Sequence, residues 1–168
     1  EDGTFIVTTN KGTQHHAKAI AIAGGLGTFE PRKPLLKDVD FYEQNDRGID
    51  YFIKDPEKYR NKNVVIAGGG DSALDWSIFL SNVASEVTLV HRRNEFRGAL
   101  DSVEKVQELK NAGKIRLITP AEVVGLNGAE HIESIDLDDN GAHRKIECDY
   151  FIPLFGLTPK LGPIGNWG

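Results

Sequence analysis

The chain has one cysteine, Cys148, and no methionine. A lone thiol excludes an internal disulfide, a CxxC redox pair and a cysteine-built zinc site, and is read as an inert packed side chain. No apolar run approaches the ~20 residues that cross a membrane, and no signal-peptide pattern opens the chain. A reducing cytoplasm is the expected setting. The chain begins on Glu1, and is expected to be an excised or processed piece. Basic excess is also missing: the net charge of −5 argues against nucleic acid as a partner. No GxxxxGK[ST] occurs, which excludes a phosphate loop of the NTPase kind. Tyr42, Tyr51, Tyr59 and Tyr150 all lack a lysine four residues on, so a YxxxK dehydrogenase is excluded as well. What remains, 168 residues with 39% hydrophobic and 27% charged side chains, is an ordinary soluble chain long enough for one full core.

The stretch that organises the chain runs from Asn63 to Arg97 and reads as strand, glycine turn, helix, strand and basic cluster. Val64, Val65, Ile66 and Ala67 form the apolar run of a strand covered on both faces. Gly68, Gly69 and Gly70 then supply backbone freedom for a sharp turn, and Gly68-x-Gly70-x-x-Ala73 fits the Rossmann pattern. In that pattern Gly68 makes the turn, Gly70 lets backbone approach a pyrophosphate, and Ala73 allows close packing of helix on strand. Asp71 or Ser72 is expected to cap the following helix. Ala73, Leu74, Trp76, Ile78, Phe79, Leu80 and Val83 would give that helix a broad apolar face. Its free amides and positive dipole end would face phosphate.

The strand Glu86 to Val90 comes next, and its end chooses the ligand. An NAD or FAD site usually places Asp or Glu there, to accept from both ribose hydroxyls. This chain instead has His91, Arg92 and Arg93, with Arg97 beyond. A carboxylate would repel a 2′-phosphate, whereas guanidinium groups grip it through paired hydrogen bonds. The expected cofactor is NADPH. A lone GxGxxA is weak, and HRRNEFR alone reads as a solvated charge run; the conjunction at the required spacing carries the reading. For His91, stacking on the nucleotide and plain packing both stay open.

Before this stretch, Thr4–Thr9 and Ala17–Ala23 read as a hairpin turning at Asn10-Lys11-Gly12, with His15 and His16 as exposed hairpin residues. Gly24, Gly25 and Gly27 indicate a turn. Pro31–Gly48 is a connector and the best candidate hinge. Tyr51–Ile53 is a short strand or strand end, and DPEKYRNK a polar turn. After Arg97, Asp101-Ser102-Val103-Glu104 resembles a capping box. Val103, Val106 and Leu109 line one helix face, and Gly113 stops the helix. Ile115, Leu117 and Ile118 form a further parallel strand. Val123–Leu126, Ile132–Leu137 and Arg144–Cys148, with turns at Asn127-Gly128 and Asn140-Gly141, make an antiparallel meander with DLDD as its solvated rim. Asp149–Pro159 is an apolar strand ending in a Gly-x-x-Pro loop.

VVIAGGGDSALDW followed by VTLVHRRNEFR resembles the NADPH domain of the thioredoxin-reductase-like flavoenzymes, over essentially the whole chain. Where the thioredoxin reductases carry their dithiol, this chain has Phe52, Ile53, Lys54 and Asp55. It is therefore most similar to the ferredoxin (or flavodoxin)–NADP⁺ reductase branch of thioredoxin-reductase type. The resemblance implies an α/β fold: a Rossmann-like NADPH-binding domain with a parallel sheet plus an antiparallel β-meander, flanked by partial FAD-domain segments. Its boundaries would be 1–36 for the end of the first FAD segment and linker, 37–149 for the NADPH domain, and 150–168 for the return segment. It implies NADPH bound by Gly68, Gly69, Gly70, Asp71, Ser72, Ala73, His91, Arg92, Arg93 and Arg97, with Phe155 and Gly156 beside the adenosine half. It also implies FAD in the complete enzyme, with Phe29 against the flavin. Hydride would pass directly between nicotinamide and flavin, so no catalytic residue and no metal is expected. Ferredoxin or flavodoxin is the implied partner, and a homodimer is open for the complete enzyme. A disulfide reductase with its dithiol outside this chain, or an NADP-binding sensor, would look alike at this level. The FAD-binding GxGxxG and the later Gly-Asp segment of such enzymes are absent, so the chain alone should not retain FAD tightly.

Overall fold

The computed structural model describes residues 3–23 and 29–160. The chain divides into two compact units: one holds the described residues up to Glu30 together with Pro159 and Lys160, the other Pro31–Thr158. In the first unit β1 (Phe5–Thr8) pairs antiparallel with β2 (Gln14–Ala17). The expected return strand Ala17–Ala23 forms only at its first residue. The turn sets this: Thr9 donates to Thr13 and Gly12 to Thr9, so pairing starts at Gln14 opposite Thr8 and β1 is exhausted at Ala17. His15 and His16 are exposed on β2, as expected. Gly24, Gly25 and Gly27 lie outside the described residues. A short strand β3 (Phe29–Pro31) carries the chain into the second unit.

The second unit is built on a four-stranded parallel sheet in the order β10 (Tyr150–Pro153), β4 (Asn63–Ala67), β5 (Glu86–Val90), β6 (Arg116–Ile118). Side chains alternate across a strand. Val64 and Ile66 of β4 thus join the core beneath helices α2 (Asp71–Leu80) and α3 (Leu100–Asn111). Val65 and Ala67 join the core on the other face. That second face is covered by the meander β7 (Glu122–Asn127), β8 (Ser134–Asp139) and β9 (Ala142–Glu147), through Ile135, Leu137 and Ile146. Burial of each such side chain contributes about 1.5–3 kcal/mol. The hairpin at Asn140-Gly141 is present, both residues at positive φ of 53° and 85°, as a primed turn requires. A last strand, β11 (Leu157–Pro159), leads out of the unit.

Several local expectations are corrected. The connector contains a helix, α1 (Val39–Glu43), whose Val39 and Tyr42 are buried; two apolar residues one turn apart are too few to register as a period. Tyr51–Ile53 forms no strand or strand end; just before it, Ile49 makes an isolated bridge to Phe151. Asp50 is instead held by Lys58 Nζ at 2.7 Å and Tyr59 Oη at 2.8 Å, so the turn expected to be polar hides a tyrosine that is 1% exposed. Neither Asp71 nor Ser72 caps α2: Gly70 is the N-cap, without a side-chain bond. Likewise α3 starts after Ala99, ahead of the supposed capping box. Phe79 is exposed, and Ser77 is buried in its place with its hydroxyl donating to the Ala73 carbonyl at 2.6 Å. The DLDD carboxylates are half-buried and partnered: Asp136 accepts from Asn127, Asp138 from the Gly141 amide, and Asp139 pairs with Arg144. The sequence boundary after 149 falls ahead of β10, which the structure places inside the parallel sheet beside β4.

Candidate functional site

The sheet changes direction at β4. The chain proceeds from β4 to β5 and β6 on one side and returns as β10 on the other, which is the switch point where open α/β sheets bind ligands outside their strand ends. Three loops meet at that carboxyl edge: 68–70 after β4, 91–99 after β5 and 154–156 after β10.

The glycine turn is held from both sides. The Gly68 amide donates to Val90 at 3.0 Å, and the Leu154 amide to Ala67 at 2.8 Å. None of the three glycines has a positive φ, so at Gly68 and Gly69 it is space, not conformational freedom, that demands glycine. A Cβ on Gly68 would stand 2.7 Å from the Leu154 carbonyl oxygen and 2.8 Å from Ala73 Cβ. One on Gly69 would stand 2.1 Å from His91 Cε1. Gly70 has nothing within 4 Å, so its Cβ direction is open to a bound group. Among the described residues, the amides of Gly70, Asp71 and Ser72 donate to no backbone acceptor. They form the open, positive end of α2. The Asp71 carboxylate is drawn aside, accepting from the Ala99 amide at 2.7 Å.

The basic loop is tied to this turn: Arg97 donates its amide to Gly69 at 2.7 Å, and His91 its amide to Ile118 at 3.2 Å. Arg92, Arg93 and Arg97 are exposed, and none makes an ion pair among the described residues. Arg92 also lines a shallow hollow of about 210 Å³ with Pro120, Glu122, Asp138 and Asn140. His91 is only 7% exposed. Its ring stacks on Phe96 with centroids 5.1 Å apart, and its Nε2 lies 3.1 Å from the Glu95 carbonyl. Burial, reinforced by the three arginines, holds its pKa below the ordinary histidine value, against the opposing Glu95 bond. The ring packs inward and does not present a face to solvent.

Phe155 is exposed beyond β10, and Gly156, at φ +90°, accepts from the Arg32 amide at 3.0 Å. Phe29 belongs to the first unit, where it is exposed. Thus residues 68–73, 91–97 and 155–156 gather at one edge. Sequence reasoning missed Leu154, whose carbonyl bounds Gly68, and Gly98, where a Cβ would stand 2.5 Å from Leu74 Cδ1. A glycine directly after the arginines was the available signal for the second; nothing marked the first. Cys148 is buried, its thiol pushed up to about 12 chiefly by burial. No helix among the described residues is long and apolar enough to cross a membrane.

The family described as pyridine nucleotide-disulphide oxidoreductase matches residues 1–167. A curated protein named ferredoxin–NADP reductase from Flavobacterium johnsoniae is 82% identical over the whole chain, which covers 47% of that protein. One named ferredoxin–NADP reductase 2 from Christiangramia forsetii is 64% identical over the whole chain, which covers 48% of it. The chain thus spans about half the length of these relatives. Among solved structures, thioredoxin reductase from Lactococcus lactis superposes with a TM-score of 0.76 at 23% identity, over 98% of this chain and 54% of that one. The T. acidophilum thioredoxin reductase gives 0.76 at 24% identity, over 96% and 51%. These two likenesses establish the fold.

Proposed function

Because this chain belongs to the pyridine nucleotide-disulphide oxidoreductase family, we propose that its second unit is the NADPH-binding domain of a flavoprotein reductase. The observation that carries the proposal is the set of three exposed guanidinium groups, unpaired among the described residues, beside the open end of α2. Unpaired cations next to free amides suit a dianionic 2′-phosphate next to a pyrophosphate. The residues present fit the nucleotide. The space over Gly70 would admit the pyrophosphate, the amides of Gly70, Asp71 and Ser72 would donate to it, and Arg92, Arg93 and Arg97 would hold the 2′-phosphate. Phe155 and Gly156 would flank the adenosine half, and Phe29 would lie against flavin.

In the complete protein FAD would accept a hydride from NADPH, and this chain's part would be to bind and orient the nucleotide. No side chain here need give or take a proton. A ferredoxin or flavodoxin is the proposed electron partner, following the names of the relatives. The buried state of Cys148, the sole cysteine in the chain, supports that reading over dithiol chemistry within this chain. Spectroscopy of the full-length protein tests the proposal: bound flavin should bleach with NADPH, and the electrons should reach ferredoxin or flavodoxin and not thioredoxin. Nucleotide binding by a full-length protein without flavin would leave a binding module and refute the reductase.

A further inference from the structure

Nothing in the nucleotide reading uses the His91 ring directly, yet the ring stands between the two halves of the proposed site. One face lies against the glycine turn so closely that a Cβ on Gly69 would meet Cε1, Nε2 and Nδ1 at 2.1, 2.4 and 2.5 Å. Phe96 stacks on the ring at 5.1 Å and 21° between planes. Since a carbonyl only accepts, Nε2 carries the hydrogen in its 3.1 Å contact with the Glu95 oxygen. The loop that bears Arg92, Arg93 and Arg97 is thereby fastened at 95–96 to the ring, and through the ring to Gly69. The Arg97 amide closes the same circuit on the Gly69 carbonyl.

We propose that His91 is a positioning residue: it fixes the spacing between the glycine turn and the arginine loop, and so sets the preference for the 2′-phosphorylated nucleotide. The proposal rests on the nucleotide reading above. The ring packs inward against Gly69 and Phe96 and acts through the loop it anchors. A flat apolar side chain would satisfy the packing under Gly69 equally well, so the donated hydrogen bond to Glu95 distinguishes positioning from filling. Burial keeps the ring neutral among three cations, so it contributes shape and one donor without adding charge.

The test uses the full-length protein carrying His91→Phe, which keeps a ring under Gly69 and loses the donor. Titration calorimetry should show NADPH affinity down about twofold to tenfold, the effect of one hydrogen bond, with NADH unchanged. In turnover, KM for NADPH should rise while kcat at saturation holds. In a background of Arg92→Ala with Arg93→Ala, the same substitution should cost NADPH nothing further. His91→Gln keeps an N–H donor and should retain more of the NADPH-over-NADH ratio than His91→Phe, which preserves a comparison if the phenylalanine protein folds poorly. Equal losses for both nucleotides, a penalty undiminished without the arginines, or the reverse ranking of the two variants overturns the positioning role. If the double arginine variant alone weakens both nucleotides equally, the nucleotide reading fails instead.

Discussion

Replacing Arg92 and Arg93 together with alanine should separate NADPH from NADH more sharply than any other change in this chain. Both side chains are exposed and make no ion pair among the described residues, so their removal leaves no orphaned carboxylate and the fold should keep its stability. Charge-assisted hydrogen bonds contribute about 1.5–3 kcal/mol each, and two of them correspond to roughly a hundredfold to ten-thousandfold in affinity. Exposure to water and salt pulls the effect to the low end, because charges beyond a Debye length of about 8 Å are screened. The expectation is therefore a loss of about a hundredfold for NADPH and less than about twofold for NADH, which has no 2′-phosphate. Calorimetric titration of both nucleotides against the full-length protein at low and physiological salt is the assay. The NADPH penalty should shrink as salt rises. Equal losses for the two nucleotides, or a penalty indifferent to salt, would refute the assignment of these arginines to the 2′-phosphate.

Gly70→Val should abolish binding of both nucleotides while leaving the urea unfolding midpoint nearly unchanged, since its Cβ meets nothing within 4 Å; retained affinity would place the phosphates elsewhere. Gly68→Ala should do the opposite to the fold, costing about 1–3 kcal/mol by overpacking against Leu154 and Ala73, and an undiminished unfolding free energy would contradict that contact. Burial holds the native His91 neutral below the ordinary histidine value of 6.5, while the unfolded ring protonates near it. Stability should therefore be full above about pH 6.5, fall as pH drops below it, and level off once pH passes the lower native pKa. Urea unfolding at several pH values should show this loss, and a His91→Phe protein with the same acid-side slope would disprove that His91 causes it.

The first strands of the parallel sheet were legible because they are buried on both faces and so read as mainly apolar runs, Val64–Ala67 and Val87–Val90; Tyr150–Ile152 read as a strand but not as a member of this sheet. The meander was legible from Asn140-Gly141, whose left-handed backbone few other residue pairs tolerate. The glycine turn and the arginine loop, which the structure ties together at Gly69, could be read for a related reason, since small residues and arginines at fixed spacing are local signals. What escaped depends on contacts between distant segments. Tyr59 is buried because Asp50, nine residues earlier, accepts its hydroxyl. Gly68 and Gly69 are demanded by Leu154 and His91 and not by their own φ values. His91 itself could not be assigned from sequence, because its partners Gly69 and Phe96 meet only once the turn and the loop have folded together. Helix starts were misplaced where aspartate and serine side chains bond across to the neighbouring helix, as Ser102 does to Asp75 at 2.9 Å, in place of their own first turn.

The order of synthesis gives the position of β10 a further meaning. Of the four strands in the parallel sheet, it is the last to leave the ribosome, yet it lies beside the first. Until residues 150–154 emerge, β4 carries a bare edge, and the carbonyl that walls Gly68 does not yet exist. A nascent chain at that stage offers an apolar strand to any neighbour able to pair with it. Translation that stalls or terminates in this window should therefore leave a client for chaperones, and not a smaller folded unit.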